Sequence, residues 1–218
     1  MKVVVYGAKG KSGVEIVKEL VSRGHQVVAV TRHADYSAPG ATSVVDDASH
    51  PDKIAAVVRG ADAVVSALAP PLTDTDQLVG LTDRVVEGVS LAGGKNSGPR
   101  LLVVGGAGSL LISGPTGSGK KVTLRDSGFL PKEWLPIVDS HIKVLENLEK
   151  NQTIDWTYFS PAAFFEVGPR KGTFRLGKDD LIVGENGKSE ISYADYAIAV
   201  ADELEKPQFR GQRFTAAY

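Results

Sequence analysis

The chain opens MKVVVYGAKGKSGVEIVKEL (residues 1–20), and the reading of its middle decides the fold. Lys2 to Tyr6 is a β-branched run that ends on a glycine, and Ser12 to Arg23 repeats Val14, Ile16, Val17, Leu20 and Val21 at helical spacing. Between strand and helix lies Gly-Ala-Lys-Gly-Lys-Ser-Gly, residues 7–13. Gly10-Lys11-Ser12 has the tail of a nucleoside-triphosphate P-loop, but that loop needs a glycine where Val5 stands inside the strand. A second near miss, GPTGSGKK at 114–121, places Lys121 where a hydroxyl must hold magnesium. Gly7, Gly10 and Gly13 instead keep the beat of a dinucleotide-binding turn. Gly7 permits the tight turn, Gly10 lets backbone approach a pyrophosphate, and Gly13 lets the helix lie close on the strand. Ala8, Lys9, Lys11 and Ser12 complete the loop, and the helix N-terminus offers free amides and a partial positive charge.

The next strand, Val27 to Val30, exits through Thr31-Arg32-His33. A unit that binds NAD carries an acid there, to accept from the ribose 2′-hydroxyl. Arg32 replaces that acid, and Lys9 and Lys11 stand in the neighbouring loop. The combination suits a 2′-phosphate through charge-assisted hydrogen bonds and predicts NADP(H) over NAD(H). The plainer reading of Arg32 is a solvated charge at a strand exit. Asp35 falls three residues too late to take the acidic role.

Outward from this unit the alternation continues. Ser43 to Val45 reads as a strand, followed by a helix that Pro51 opens. Ala63 to Val65 is another strand, and Asp74 is positioned to cap a helix running to about Ala92. Leu101 to Val104, a helix from Val138 to Lys150, and Trp156 to Phe159 follow. Strands apolar throughout, alternating with helices, predict an α/β doubly wound parallel sheet. Residues 105–135, glycine-rich with Pro115 and Pro131, lack periodicity and read as a lid or binding loop. Residues 160–190 read as a small elaboration with short strands at Thr173 to Leu176 and Leu181 to Val183, before a helix at Ala194 to Leu204. The expectation is one domain spanning 1–218.

Composition bounds the function. Among 218 residues, 42% are apolar and 23% charged, with net charge −1, so no general field favours nucleic acid or a membrane surface. No apolar run approaches the roughly 20 residues of a bilayer span. The absence of cysteine excludes disulfides, thiol catalysis and thiolate metal sites. His25, His33 and His50 fall in loops without a partner pattern, so no metal site is expected. The strand begins at once, leaving no room for a signal segment, and a cytoplasmic protein acting on a small molecule is expected, in an unspecified oligomeric state.

Several stretches, GAKGKSG, the VTR strand exit, ADAVVSALAP, VVGGAGSL, DWTYFSPAAFFEVG, GTFRLGKDDLIV, SEISYADYAIAVADELEKP and QRFTAAY, together resemble the atypical short-chain dehydrogenases grouped as NAD(P)H-flavin reductases. Biliverdin reductase B and the NmrA-like proteins are similar at greater distance. The match covers nearly the whole chain, and its C-terminal run is more specific than the glycine loop. The resemblance implies a Rossmann fold. It would place Asp47 and Ala48 by the adenine, Ala67 and Leu68 along the cofactor, and Gly105 and Gly106 beside the nicotinamide ribose.

Candidates for chemistry follow. Short-chain dehydrogenases that reduce carbonyls use Ser with Tyr-x-x-x-Lys, but here Lys143 has Asp139 four residues before it. That spacing predicts an i,i+4 salt bridge on a solvated face and argues against ketone chemistry. Hydride transfer to a flavin needs stacking and orientation more than a tuned acid. Ser109 is a candidate to hydrogen-bond a substrate carbonyl, or else a turn hydroxyl. His141 is a candidate proton donor or flavin contact, or else a helix-surface histidine. Phe164, Phe165 and Trp134, with Phe129, are aromatics for a planar substrate, and one of the Phe pair is expected in the core. Lys120, Lys121 and Arg125 would meet an anionic substrate such as FMN, or form a solvated basic loop. The activity expected is an NADPH-dependent reductase of flavins (FMN, FAD or riboflavin) or quinone-like acceptors. The alternative is an NADP(H)-sensing NmrA-like regulatory protein without turnover.

Overall fold

The computed structural model describes residues 1–71, 73–113 and 120–218, so the GPTGSGKK stretch lies outside the described residues except for its two lysines. Strand β1 (Lys2–Tyr6) leads into α1 (Lys11–Ser22), then β2 (Gln26–Thr31), β3 (Thr42–Val45), α2 (Pro51–Val58) and β4 (Ala63–Ser66). Helix α3 (Gln77–Leu91), the single turn α4 (Gly94–Ser97) and β5 (Arg100–Val104) follow. Two short strands, β6 (Leu111–Ser113) and β7 (Lys121–Thr123), precede α5 (Leu135–Lys150) and β8 (Trp156–Ser160). The chain ends through β9 (Phe164–Glu166), β10 (Arg175–Gly177), β11 (Glu190–Ser192), α6 (Tyr193–Glu205) and β12 (Gln212–Ala217).

Among the described residues eight strands form one sheet in the order β10-β12-β8-β5-β4-β1-β2-β3, parallel except for β10 against β12. Period-two alternation splits the core into two layers. Val3 and Val5 face α1 and α6, whereas Val4 and Tyr6 face α2, α3 and α5. Helix α1 buries Ile16, Val17 and Leu20, each worth roughly 1.5–3 kcal/mol relative to exposure. Its partner α6 offers Ala197, Ala201, Val200 and Leu204. Phe159 on β8 is stacked between Tyr196 and Phe214, at 3.9 and 4.0 Å between ring centroids. The chain winds outward from β1 to β3 and then returns to the other side of β1 as β4, so the strand order reverses between β1 and β4. That reversal opens a crevice at the carboxyl ends of these two strands.

Several local expectations need correction. Helix α3 begins three residues after Asp74; Asp76 occupies the cap position, and the Asp74 carboxylate accepts from the Gln77 side-chain amide at 2.7 Å. Leu181 to Val183 is not a strand: the Leu181 amide bonds to the Leu111 carbonyl at 2.9 Å beside an isolated Leu111–Asp180 bridge. Asp139 and Lys143 do not pair. Arg125 takes Asp139 with two guanidinium hydrogen bonds, 2.7 and 2.9 Å, and Lys143 turns to Glu146 at 3.4 Å. A bidentate guanidinium from another segment outcompetes a flexible ammonium one helical turn away. Strand β12, and the three-residue pair β9 and β11, add order where the sequence showed none.

Candidate functional site

Gly7 sits at φ +75°, a conformation that L side chains rarely adopt, and a Cβ there would overlap the Ala67 carbonyl. The Gly10 amide closes the turn onto the Gly7 carbonyl at 2.9 Å. A Cβ on Gly13 would overlap that same carbonyl, so only glycine lets α1 rest against the turn. Gly10 occupies the cap position of α1 and gives it no side-chain hydrogen bond. The first-turn amides are therefore left without a capping side chain at the positive end of the helix dipole. A pyrophosphate fits this cradle on both counts, close backbone approach and unsatisfied donors.

The cradle opens into a cleft of about 260 Å³. It is lined by Tyr6, Gly7, Lys9 and Gly10 from the first strand and its turn, by Val30 to His33 from the second, and by Asp46 and the Ala67–Ala69 segment. Arg32 is exposed and forms no ion pair among the described residues, whereas Lys9 holds Asp35 at 2.9 Å across the outer edge. The Lys9 ammonium keeps the Asp35 carboxyl below the usual carboxylate range. Thr31 donates its hydroxyl to the His33 carbonyl at 2.8 Å, which fixes the turn that carries Arg32. On the other side of Lys9–Lys11 a second cleft of about 350 Å³ is bounded by Val167, Gly168 and Tyr193.

Asp46, missed in the sequence, lines the cleft in the place expected for Asp47. It accepts from the Tyr6 hydroxyl at 3.0 Å, and burial, with Asp46 second, raises the Tyr6 pKa far above that of a free phenol. Asp47 is turned away to cap the Ser49 amide at 3.0 Å, and Ala48 is fully buried. Nothing in two adjacent aspartates says which one the strand end points inward; the doublet itself was the only signal.

At the end of β5, Gly105 and Gly106 are closely packed. A Cβ on Gly105 would strike the Tyr158 ring, and one on Gly106 would lie 3.0 Å from the His141 side chain. The Gly106 amide donates to the Tyr158 hydroxyl at 2.9 Å, which donates to the His141 carbonyl at 3.0 Å. Burial pushes the Tyr158 phenol well above its ordinary range, so it is a brace and not an acid. His141 is not the surface histidine that was one reading of it: its Nδ1 is buried and has no hydrogen-bond partner among the described residues, and desolvation pulls its pKa down to about 4. Ser109 is neither free nor a plain turn hydroxyl. Its Oγ accepts from Arg213 at 3.1 Å, while Arg213 grips Asp179 at 2.7 Å.

The aromatic candidates divide. Phe165 is half-buried against the core, edge-on to Tyr193 and beside Tyr196, while Phe164 and Trp134 are each 51% exposed. Of the cations singled out in the 105–135 segment, Lys121 pairs with Asp180 at 2.5 Å and Arg125 with Asp139. Among the described residues no helix is long and apolar enough to cross a membrane, and no group of acidic residues and histidines is arranged to hold a metal.

Comparison with known proteins agrees with this geometry. YwnB of Bacillus subtilis, an uncharacterised protein, is 41% identical over 217 residues, covering 99% of this chain and 97% of its own. A Bacteroides thetaiotaomicron structure provisionally named an epimerase superimposes with a TM-score of 0.86 at 40% identity, covering 100% of this chain and 96% of that one. SP1627 of Streptococcus pneumoniae, provisionally named an NADH-flavin reductase, gives 0.85 at 31% identity over 100% and 99% of the two chains. The profile of the NAD(P)H-binding family matches residues 7–207. With the family's span running from the first glycine of the crook to the end of α6, the chain belongs to the NAD(P)H-binding family, on the Rossmann-type fold of the atypical short-chain dehydrogenases.

Proposed function

We propose that the protein is an NAD(P)H-dependent oxidoreductase, preferring NADPH, that reduces a planar acceptor of the flavin or quinone type. One observation carries the reading: uncapped amides at a glycine crook open into a cleft that is also lined by a guanidinium with no ion pair among the described residues. In this reading the amides of Lys11, Ser12 and Gly13, reached past Gly7, Ala8 and Gly10, bind the pyrophosphate. Arg32 binds the 2′-phosphate, aided by Lys9, Lys11 and the Thr31 turn. Asp46, in place of Asp47, faces the adenine with Ala48 behind it. Ala67 and Leu68 lie along the dinucleotide, and Gly105 and Gly106 flank its nicotinamide end.

The bound reduced nicotinamide would supply a hydride, two electrons with one proton, and solvent would supply the second proton of the reduced acceptor. Exposed Phe164 and Trp134 offer stacking surface. His141, neutral at ordinary pH, serves as a hydrogen-bonding group and not as an imidazolium donor. Ser109 is held in place by Arg213 for a similar contact. The reductase name of SP1627 lends support to the acceptor class.

A second reading, an NADP(H)-sensing module without turnover, draws on one specific feature. The Tyr158 hydroxyl and Ser109 are engaged in the fold, and His141 is deprotonated at neutral pH, so no side chain here stands ready as an acid. Steady-state oxidation of NADPH with FMN, FAD, riboflavin and quinones separates the two. Turnover with one of these supports the reductase; tight NADPH binding with no oxidation by any acceptor overturns it in favour of the sensor.

A further inference from the structure

Ala48 is the only non-glycine residue among those described with a left-handed backbone, at φ +57°. Such a conformation persists in an L residue only where the surroundings hold it. Here the surroundings are explicit. The Ala48 amide donates to Asp46 Oδ1 at 3.3 Å, and its carbonyl accepts from Arg84 Nε at 3.2 Å, reaching across from α3. Asp46 is in turn anchored by its own amide on the Thr31 carbonyl, 2.9 Å, and by the Tyr6 hydroxyl on Oδ2. Arg84 is half-buried, does not line the cleft, and makes no other hydrogen bond or ion pair among the described residues.

We infer that Arg84 is a positioning residue for the nucleoside end of the cleft. By holding the Ala48 carbonyl it keeps the left-handed turn formed, and that turn aims one oxygen of the Asp46 carboxylate. The other oxygen is set by Tyr6, so the acid enters the cleft in a single orientation before any ligand arrives. The inference rests on the cofactor reading above and adds to it a residue outside the binding surface that tunes one half of the dinucleotide only.

The test uses the full chain and the adenosine-bisphosphate half of NADP as probe, by calorimetry. Arg84→Met is expected to weaken this fragment about 3- to 10-fold, the range for losing one hydrogen bond. Its KM for NADPH rises with it, and kcat is unchanged. Arg84→Lys, which keeps the charge and the packing of the stem, serves as a second variant should the methionine lower the melting temperature. The decisive arm is Ala48→Gly in the Arg84→Met background. Glycine adopts a φ near +57° without being held, so fragment affinity is expected to return to near the parent value. A merely structural role for Arg84 would not produce that rescue. Unchanged affinity in both Arg84 variants, or no recovery with glycine, overturns the inference while leaving the cofactor reading intact. Failure of the parent protein to bind the fragment overturns both.

Discussion

Replacing Arg32 by alanine tests the cofactor preference at its source. The side chain is exposed, lines the cleft beside Lys9 and His33, and has no ion partner among the described residues to be released. Its loss should therefore appear almost wholly in the ligand. One hydrogen bond to a charged group is worth about 1.5–3 kcal/mol, and each 1.4 kcal/mol is about tenfold. NADPH is thus expected to weaken by roughly 10- to 150-fold, with the lower end favoured at high salt because the guanidinium is solvated. NADH, lacking the 2′-phosphate, should change by less than about twofold. Calorimetric titration of parent and Arg32→Ala with both cofactors measures this directly. Equal weakening of NADPH and NADH, or no change in either, would refute the assignment of Arg32 to the phosphate.

Asp35→Asn removes a carboxylate that competes for Lys9 and repels a phosphate, so NADPH is expected to bind up to about fivefold more tightly, the gain being small because the ion pair is exposed; weaker NADH instead would assign Asp35 to the ribose. Gly13→Ala would drive a methyl group into the Gly7 carbonyl, and an overpacked contact of this kind costs about 1–3 kcal/mol; calorimetry should show a lowered melting temperature together with loss of NADPH binding. The His141 pKa, held near 4 against 6.5 for a free histidine, means that the unfolded chain binds the extra proton first as pH falls. Stability from this group is complete above pH 6.5 and is lost toward pH 4, by at most roughly 3 kcal/mol. Urea unfolding should show this slope in the parent and a flatter one in His141→Gln; identical slopes would contradict the burial of Nδ1.

The alternation of buried strands with amphipathic helices made the doubly wound sheet legible, because β1, β4 and β5 are buried on both faces. The glycine crook was legible for the same local reason: Gly7, Gly10 and Gly13 each answer one backbone demand within seven residues. What escaped depends on tertiary placement. Asp46 and Asp47 are neighbours with opposite directions, and only the strand's end decides which one enters the cleft. Tyr158 reads as one apolar residue of a buried strand, yet its hydroxyl braces Gly106 and α5 from 52 and 17 residues away. Asp139 finds Arg125, 14 residues off, and not the lysine one turn along its helix. Strands β9 and β11 are three residues each, too short for any periodicity to register.

The central claim is that this cradle holds a reduced nicotinamide dinucleotide so that its hydride reaches an acceptor. Anaerobic rapid mixing of the protein and NADPH with FMN tests it most directly, by following the nicotinamide and flavin absorbances together. The expected result is equimolar loss of both, saturable in protein-bound NADPH and abolished with Gly13→Ala. Bound NADPH that persists beside oxidised flavin would contradict hydride transfer to this acceptor class.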